Sequence, residues 1–279
     1  MTPELIELEE QARPYRALYD HWERTQWSVA ALDFATDARS FAALPEETRR
    51  GVVWIFAHRF HAEFNVARLL APFLEAAPDW ELQLLLATQV ADEHRHLQAV
   101  LRIYEEVFGV VGGFSAVRKL ADRNRDPVAE SLYEALEGRI SALKDSPDED
   151  TFLQAVFSYH VVAEGVIART AQNLAVGQYE RLGEFPGLIE GQRLVARDEA
   201  RHIGIGVSYA RRRLAQDAER ARAAIDDCLE EFGLLAAQGL ELGRAGLEDV
   251  LASGYGANAE AFHAEAMRLL QLRLRSIGY

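Results

Sequence analysis

Asp198-Glu-Ala-Arg-His202 is the stretch that determines the predicted fold, and Asp92-Glu-His-Arg-His96 repeats its pattern earlier in the chain. Both stretches lie in sequence typical of helices, and in each the glutamate precedes the final histidine by three residues. Side chains three residues apart lie on the same face of a helix, about one turn apart. Each stretch can therefore direct one carboxylate oxygen and one imidazole nitrogen at a common point, as a helix does when it supplies two ligands to a metal ion.

A single Glu-x-x-His arises often by chance in an acidic helical chain, but here each copy follows a helix with a further glutamate. Pro78-Asp79 predicts a turn, and Glu63 and Glu93 lie equally far before and after it. At about 1.5 Å per residue, both glutamates lie roughly 22 Å from this turn in an antiparallel hairpin. Glu164 and Glu199 likewise lie about equally far before and after the helix break that is predicted between them. The sequence therefore predicts two helical hairpins as an internal repeat, with a pseudo-twofold site between four helices.

Helices are predicted along most of the chain, with breaks at prolines and glycines. They run from Glu4 to His21 with a division at Pro14, from Pro45 past a kink at Pro72, from Trp80 to Phe108, from Asp126-Pro127 to Lys144, from a cap at Ser146-Pro147-Asp148 to Leu182, from Pro186 to Leu214, from Ala218 to Gly243, and from Asn258 to Arg275. The segment Trp27–Asp33 is predicted to be irregular. No Ser/Gly-rich or charge-block linker divides the sequence, so we expect one domain over residues 1–279.

Composition excludes several classes of protein. A chain of 279 residues with 49% hydrophobic residues can bury a sizeable core. The formal net charge of −14 argues against nucleic acid and anionic membrane surfaces as partners. Met1–Glu4 has no feature of a signal peptide, and the apolar runs are too short to span a bilayer, so we expect a cytoplasmic protein that is not integral to a membrane. The single cysteine, Cys228, excludes disulfide frameworks and Cys-rich metal sites, and we expect it to be a small buried hydrophobe.

Four carboxylates that converge in a bundle core cannot all stay ionised unaided, because buried like charges are costly. A pair of cations supplies the missing positive charge, and a mixed nitrogen and oxygen ligand set suits iron and manganese. One metal is expected on Glu63, Glu93 and His96, and the other on Glu164, Glu199 and His202, with one or two glutamates bridging. This ligand set is the one found in ferritin-like di-metal carboxylate proteins, so by resemblance we expect an all-α, ferritin-like helical bundle with a dinuclear site in a four-helix core and flanking helices. The alternative, solvated surface acids and ordinary core histidines, suits a lone Glu-x-x-His better than the doubled pattern.

Over nearly its whole length the chain resembles the small subunit of class I ribonucleotide reductase. Trp27, Asp33, Asp37 and Leu44-Pro45-Glu46 are similar to the segment that precedes the first metal-binding helix in that family. The resemblance implies a relay of Trp27, Asp198 and His96, in which the aspartate orients a ligand histidine and links it to a surface tryptophan. The alternative for Trp27 is a simply packed indole.

Two features differ from the reductase. Val100 stands where that family has its radical tyrosine, four residues after the first ligand histidine, and the chain stops soon after its last predicted helix, without a docking tail. The closer resemblance is to the ligand-binding oxidases related to that subunit. It implies a manganese–iron cofactor (or a di-iron one), O2 as a substrate, a long-chain fatty acid or other apolar ligand at the metals, and a homodimer. The expected reaction is a two-electron oxidation of a C–H bond, with the radical-generating reductase subunit as the alternative and a non-catalytic iron store as a further one.

The same resemblance implies a tyrosine–valine ether cross-link between Tyr159 and Val66. Val66 lies three residues after Glu63 and therefore on the same helical face. On an ideal helix Tyr159 would be about 140° from Glu164 and turned from the site, with His160 in its place. A π-bulge between Tyr159 and Gly165 would bring the ring round, and we predict one there. The alternative is that Tyr159 and Val66 are core residues in simple contact.

Several other polar residues lie close to the predicted ligands in the sequence. His58, His61 and His94 fall on other helical faces, so we expect no metal bonds from them. Arg95 and Arg201 lie between ligands, and we expect them to point away from the metals and pair with surface acids.

Overall fold

The computed structural model describes residues 3–125, 127–242 and 248–279, and all regular structure within these ranges is helical. In chain order the α-helices are α1 (Pro3–Glu10), α2 (Tyr15–Arg24), α3 (Ala35–Ala43), α4 (Glu46–Ala76), α5 (Trp80–Glu106), α6 (Gly113–Asp122), α7 (Pro127–Ser141), α8 (Glu149–Val156), α9 (Arg169–Leu182), α10 (Pro186–Gln216), α11 (Ala218–Leu242), α12 (Glu248–Tyr255) and α13 (Ala259–Ile277). A π-helix, Phe157–Ala168, joins α8 to α9, and 3-10 turns lie at Val29–Ala31 and Ala142–Lys144.

The two predicted hairpins form the core of the fold. Helices α4 and α5 pack side by side, and α10 packs against the π-helix that continues α8. The turn of the first hairpin is fixed by Asp79, whose Oδ1 accepts a hydrogen bond from the Leu82 backbone N–H at 2.8 Å and caps α5. Pro186 occupies the first turn of α10, where its missing N–H costs nothing. Helices α1, α2, α11 and α13 cover the outer faces of α10.

Most predicted helix boundaries are confirmed. Pro14 separates α1 from α2, and the side chains of Asp148 and Asn258 cap α8 and α13. Pro72 lies inside α4, near its end as predicted. Pro45 is the residue that precedes α4 rather than its first residue. The predicted start at Asp126 and the predicted end at Gly243 lie outside the described residues.

Helices α3, α6 and α12 were not expected from the sequence. The sequence of α3, ATDARSFAA, has little apolar periodicity, and tertiary contacts hold it in place. Asp37 of α3 is fully buried and accepts hydrogen bonds from the backbone N–H groups of Gly187 at 3.0 Å and Leu188 at 2.8 Å, at the start of α10. A Cβ at Gly187 would lie 2.3 Å from the Asp33 carbonyl oxygen, so this close approach requires glycine. A cap supplied from another helix cannot be read from local sequence.

The π-helix confirms the predicted bulge and extends it on both sides. It spans 12 residues and includes Tyr159 and Glu164. Arg273 of α13 donates from Nε to the Gly165 carbonyl oxygen at 3.1 Å, and its guanidinium pairs with Glu9, which also pairs with Arg169. All three charged side chains are at most 1% exposed. This ion cluster joins both terminal helices to the π-helix, and the wide turn of the π-helix is thereby held from the side.

The continuous helical segment Glu149–Leu182 is the one in the described part of the chain with the length and apolar character of a membrane span. Inside the bundle, 72% of its apolar window is buried, as in the core helix of a folded domain. Cys228 is buried as expected, with its Sγ 3.6 Å from the Ser158 hydroxyl.

Candidate metal centre

The structure brings all six predicted ligands together, and each is at most 6% exposed. They form two overlapping groups in which the potential ligand atoms lie within 4.8 Å of one another. The first group is Glu63, Glu93, His96 and Glu199, and the second is Glu93, Glu164, Glu199 and His202. Helices α4, α5 and α10 and the π-helix therefore contribute to one centre, as the matched heights of the glutamates predict.

Glu93 and Glu199 belong to both groups and face both histidines. Glu93 Oε2 lies 3.3 Å from His96 Nδ1, and its Oε1 lies 3.2 Å from His202 Nδ1. Glu199 repeats the pattern, with Oε1 and Oε2 each 3.6 Å from the Nδ1 atoms of His96 and His202, respectively. Each of these carboxylates can give one oxygen to each of two cations, so both have the position of bridging ligands.

The two remaining glutamates lie at opposite ends of the centre. Glu63 Oε2 is 3.5 Å from His96 Nδ1, and Glu164 Oε1 is 3.6 Å from His202 Nδ1. Glu63 also contacts Arg59 of the same helix, whose Nη2 lies 3.1 Å from Glu63 Oε1. A guanidinium thus lies at one end of the centre, and its charge partly offsets that of the carboxylates.

The inward-facing atoms of this cluster fit a pair of metal ions. His96 Nδ1, His202 Nδ1, Glu93 Oε2, Glu164 Oε2 and Glu199 Oε2 are all buried without a hydrogen-bond partner. Buried polar atoms are otherwise nearly always hydrogen-bonded, because leaving one unpaired costs free energy. Carboxylate oxygens and imidazole nitrogens in this number suit manganese and iron, so two such cations would satisfy every one of these atoms.

The pKa values of the ligands show how costly the cluster is without metal. Burial, followed by the charge of Glu199, raises the pKa of Glu164 well above its usual range, and burial also raises the pKa of Glu63. Burial alone would lower the pKa of both histidines, but hydrogen bonds to carboxylates raise it well above the ordinary value for His96 and His202. Cations bound among these groups would compete with the protons that the raised pKa values of Glu63, Glu164, His96 and His202 favour.

Behind His96 the structure places the two other members of the predicted relay. Asp198 Oδ2 accepts hydrogen bonds from Trp27 Nε1 at 2.7 Å and from His96 Nε2 at 3.1 Å. His96 therefore directs Nδ1 at the centre, because Nε2 is engaged by the aspartate. Trp27 is half-buried, and the guanidinium of Arg95 lies over its ring, 5.1 Å from the centroid. The geometry suits the relay that the resemblance implies.

A second chain of the same kind lies behind His202 and was not predicted. Asp92 Oδ2 lies 3.2 Å from His202 Nε2, and Asp92 Oδ1 accepts a hydrogen bond from Trp22 Nε1 at 3.0 Å. Asp92 occupies in the first Asp-Glu-x-Arg-His stretch the place that Asp198 has in the second, so the repeat itself could have indicated its role. Trp22 had no such signal, because its partner is far away in the sequence.

The expectation that Arg95 and Arg201 pair with surface acids is wrong. Arg201 is 1% exposed and donates to Asp92 Oδ2 at 2.6 Å, and Arg95 pairs with both Asp92 and Asp198. The two buried aspartates need positive partners, and these arginines lie one turn away from them or directly across the bundle. His58, His61 and His94 lie outside both ligand groups, as expected.

Gln89 and His160 form another pair that orients a ligand. His160 Nε2 donates to Gln89 Oε1 at 3.0 Å, and Gln89 Nε2 donates to Glu164 Oε1 at 2.9 Å. Burial and the charge of His202 lower the pKa of His160 to about 3, so its imidazole is neutral at physiological pH. A neutral donor of fixed direction thus holds one oxygen of Glu164 through the glutamine.

Tyr159 lies at the edge of the centre, beside Val66. Its hydroxyl is 3.4 Å from the Val66 carbonyl oxygen and 3.5 Å from Glu93 Oε1. The ring is fully buried and meets Phe73 edge to face at 5.7 Å. Burial, and then the charge of Glu93, raises the pKa of the phenol well above its usual value. The π-helix thus turns the Tyr159 side chain towards α4 and the ligands.

Four core helical segments that bring together six such side chains are the arrangement found in ferritin-like proteins with a dinuclear carboxylate centre. The chain matches no model of a known protein family. Solved structures with this fold include R2-like ligand-binding oxidases with an aerobically reconstituted Mn/Fe cofactor. One of them is 22% identical, with 95% of this chain and 92% of that chain covered and a TM-score of 0.79. A tyrosine-to-phenylalanine variant is 21% identical, with 95% and 93% covered and a TM-score of 0.81. A glutamate-to-aspartate variant is also 21% identical, with 95% of this chain and 93% of that chain covered and a TM-score of 0.79. At these identities the likeness shows the fold alone.

Proposed function

We propose that this protein is an O2-activating oxidase with a dinuclear Mn/Fe or di-iron centre. The observation that carries this proposal is the pair of ligand groups that share Glu93 and Glu199 and leave five inward-facing atoms without partners. A metal pair held in such a site would supply electrons for the reduction of O2, coupled to the oxidation of a nearby bond. The structural neighbours are ligand-binding oxidases with a Mn/Fe cofactor, and they support the same choice of metals.

The protein's own residues would hold and orient that centre. Glu63 and His96 would complete one coordination shell, and Glu164 and His202 the other. Asp92 and Asp198 fix the direction of the two imidazoles, since each accepts a hydrogen bond from the Nε2 that faces away from the centre. The neighbouring α4 and π-helix surfaces exclude water from one edge, where Val66, Phe73 and Tyr159 pack together.

At that edge we place the oxidation itself. The proposed product is an ether bond from the Tyr159 oxygen to the Val66 β-carbon, which removes the phenolic hydrogen and one C–H hydrogen while O2 accepts the electrons. The 3.4 Å separation of the Tyr159 hydroxyl from the Val66 backbone supports this assignment. A long-chain fatty acid or other apolar ligand beside the metals, and a homodimer, belong to the same proposal.

Mass spectrometry tests the cross-link directly. Protein loaded with Mn(II) and Fe(II) is divided, and one half is exposed to air. After digestion, the air-exposed half should yield a joined peptide that contains Tyr159 and Val66, with a mass two hydrogen atoms below the sum of the two separate peptides. Tyr159→Phe should abolish it, and Tyr104→Phe, which alters another buried tyrosine, should not. Separate, unmodified peptides after oxygen exposure would contradict the cross-link while leaving the metal site intact.

Anomalous diffraction on both sides of the manganese and iron absorption edges tests the metals. Two metal ions between the six predicted ligands, either manganese with iron or two iron ions, support the proposal, and a single ion or zinc would refute it.

The alternative function is a radical-generating reductase subunit, favoured by the hydrogen-bonded chain Trp27–Asp198–His96. It requires a stable radical signal and co-purification with a nucleotide-binding large subunit, whereas the buried Val100 offers no phenol for such a radical.

A further inference from the structure

The centre has two tryptophan–aspartate–histidine chains, one behind each histidine. In the first, Trp27, Asp198 and His96 are joined by hydrogen bonds of 2.7 and 3.1 Å. In the second, Trp22 and Asp92 are joined at 3.0 Å, and Asp92 and His202 at 3.2 Å. The two aspartates precede the bridging glutamates Glu93 and Glu199 in the repeated stretches, so the pseudo-twofold symmetry of the ligands continues outward to the tryptophans.

The central aspartate of the second chain is fixed by several donors. Asp92 is fully buried and receives donors from Trp22, Arg95, Arg201 and His202, which occupy both of its oxygens. Trp22 itself is half-buried at the surface of the bundle. It therefore links the solvent boundary to His202 through hydrogen bonds alone.

The two indoles differ in their surroundings. The guanidinium of Arg95 lies over the face of Trp27, where a positive charge opposes loss of an electron from the ring. The ring of Trp22 instead meets the ring of Tyr19, which lies one helical turn earlier, with centroids 5.9 Å apart. The ring of Trp22 thus has an aromatic neighbour, and the ring of Trp27 a cationic one.

We propose that Trp22 is a second one-electron donor to the dinuclear centre, serving the His202 side through Asp92. This inference rests on the proposed oxygen-activating function. Reduction of one O2 to two waters takes four electrons and four protons, of which the two metal ions supply two electrons. When neither an apolar ligand nor the Tyr159–Val66 pair supplies the other two, Trp22 and Trp27 each give one. A one-electron reductant such as a thiol or ascorbate then restores each indole, and the protons come from solvent.

Site-resolved oxidation of tryptophan tests this inference. The Tyr159→Phe variant, which cannot form the cross-link, is loaded with Mn(II) and Fe(II) and exposed to a measured amount of O2 without added reductant. Peptide mass spectrometry then quantifies oxygen-containing products at each of the four tryptophans. We expect them at Trp22 and Trp27. Trp80 is 69% exposed and serves as an internal control, because an oxidant diffusing in solution would attack it first.

Matched variants separate the two donors. With Trp27→Phe, both electrons that the tryptophans supply must come through Trp22, so the yield of oxidation products at Trp22 should about double. Trp22→Phe should raise the yield at Trp27 in the same way. Trp54→Phe, which changes a tryptophan packed on His58, should leave both yields unchanged. Freeze-quenched samples with ring-deuterated tryptophan should show a narrowed radical signal that Trp22→Phe weakens.

Oxygen uptake in the same samples distinguishes the possible failures. Oxygen uptake with products at Trp27 but none at Trp22 in the Tyr159→Phe protein, and still none at Trp22 when Trp27→Phe is added, would overturn this inference and leave the proposed function standing. Products concentrated at Trp80 would overturn it as well. An absence of oxygen uptake by the metal-loaded protein would overturn both.

Discussion

Asp92→Asn should destabilise the metal-free protein far more than Asp198→Asn, although the two aspartates have the same place in the repeated sequence. Asp92 is 0% exposed and is the ion-pair partner of Arg201, which is 1% exposed. Loss of its charge leaves a buried guanidinium uncompensated, which costs about 3–5 kcal/mol. Asp198 pairs with Arg95, whose side chain is 14% exposed and keeps Asp92 as a partner. Its neutralisation should cost about 1–2 kcal/mol, the loss of charge-assisted hydrogen bonds.

Urea unfolding of the metal-free proteins measures this difference. Asp20→Asn is the surface control, since Asp20 pairs with Arg16 on the solvent-exposed side of α2, and the change should alter stability by less than about 1 kcal/mol. Both buried variants should also weaken metal binding by roughly ten- to a hundredfold, because each loses the group that orients a ligand histidine. A chelator competition assay gives that value. If Asp92→Asn unfolds at the same urea concentration as the surface control, Arg201 is not a buried charge that depends on Asp92, and the reasoning fails.

Three further predictions concern the centre itself. Glu199→Ala should lower the content of both metals in elemental analysis, because Glu199 faces both histidines, whereas His202→Ala should lower the content of one metal. Oxygen uptake should disappear in both variants. Full metal content in either variant would contradict the ligand assignment. Metal affinity should fall as the pH is lowered through the neutral range. Because the pKa values of His96 and His202 are raised in the folded protein, protonation of these histidines stabilises the metal-free fold fully below about pH 6.5, and this stabilisation is lost as the pH rises through the raised pKa values. A metal must displace these protons, so its affinity falls at lower pH. Affinity that a chelator titration finds constant across this range would contradict the linkage. Gln89→Leu should weaken metal binding by about tenfold, because it removes the amide that donates a hydrogen bond to Glu164. A metal affinity equal to that of the unaltered protein would contradict this prediction.

The meeting of the six predicted ligands at a common height followed from local rules. The i, i+3 spacing places a glutamate and a histidine on one helical face, and the constant rise per residue places the partners of a hairpin level with each other. Both rules hold for any pair of antiparallel helices, so sequence alone sufficed to bring Glu63 beside Glu93 and Glu164 beside Glu199. The π-helix around Tyr159 was predicted from the family resemblance and helix geometry together: the resemblance implies that the ring faces the site, and an ideal helix would have turned it away.

Tertiary structure alone decided what surrounds those ligands. The pairing of Trp22 with Asp92, and the capping of α10 by Asp37, join segments far apart in the chain, and nothing local to either segment specifies the partner. Arg95 and Arg201 look like surface residues in sequence, but they turn inward because two buried aspartates require positive charge there. The Gly165 carbonyl oxygen of the π-helix likewise accepts a hydrogen bond from Arg273, which lies more than a hundred residues later in the chain. Helical periodicity thus determined which residues meet at the centre, and long-range charge and hydrogen-bond satisfaction determined how they are held there.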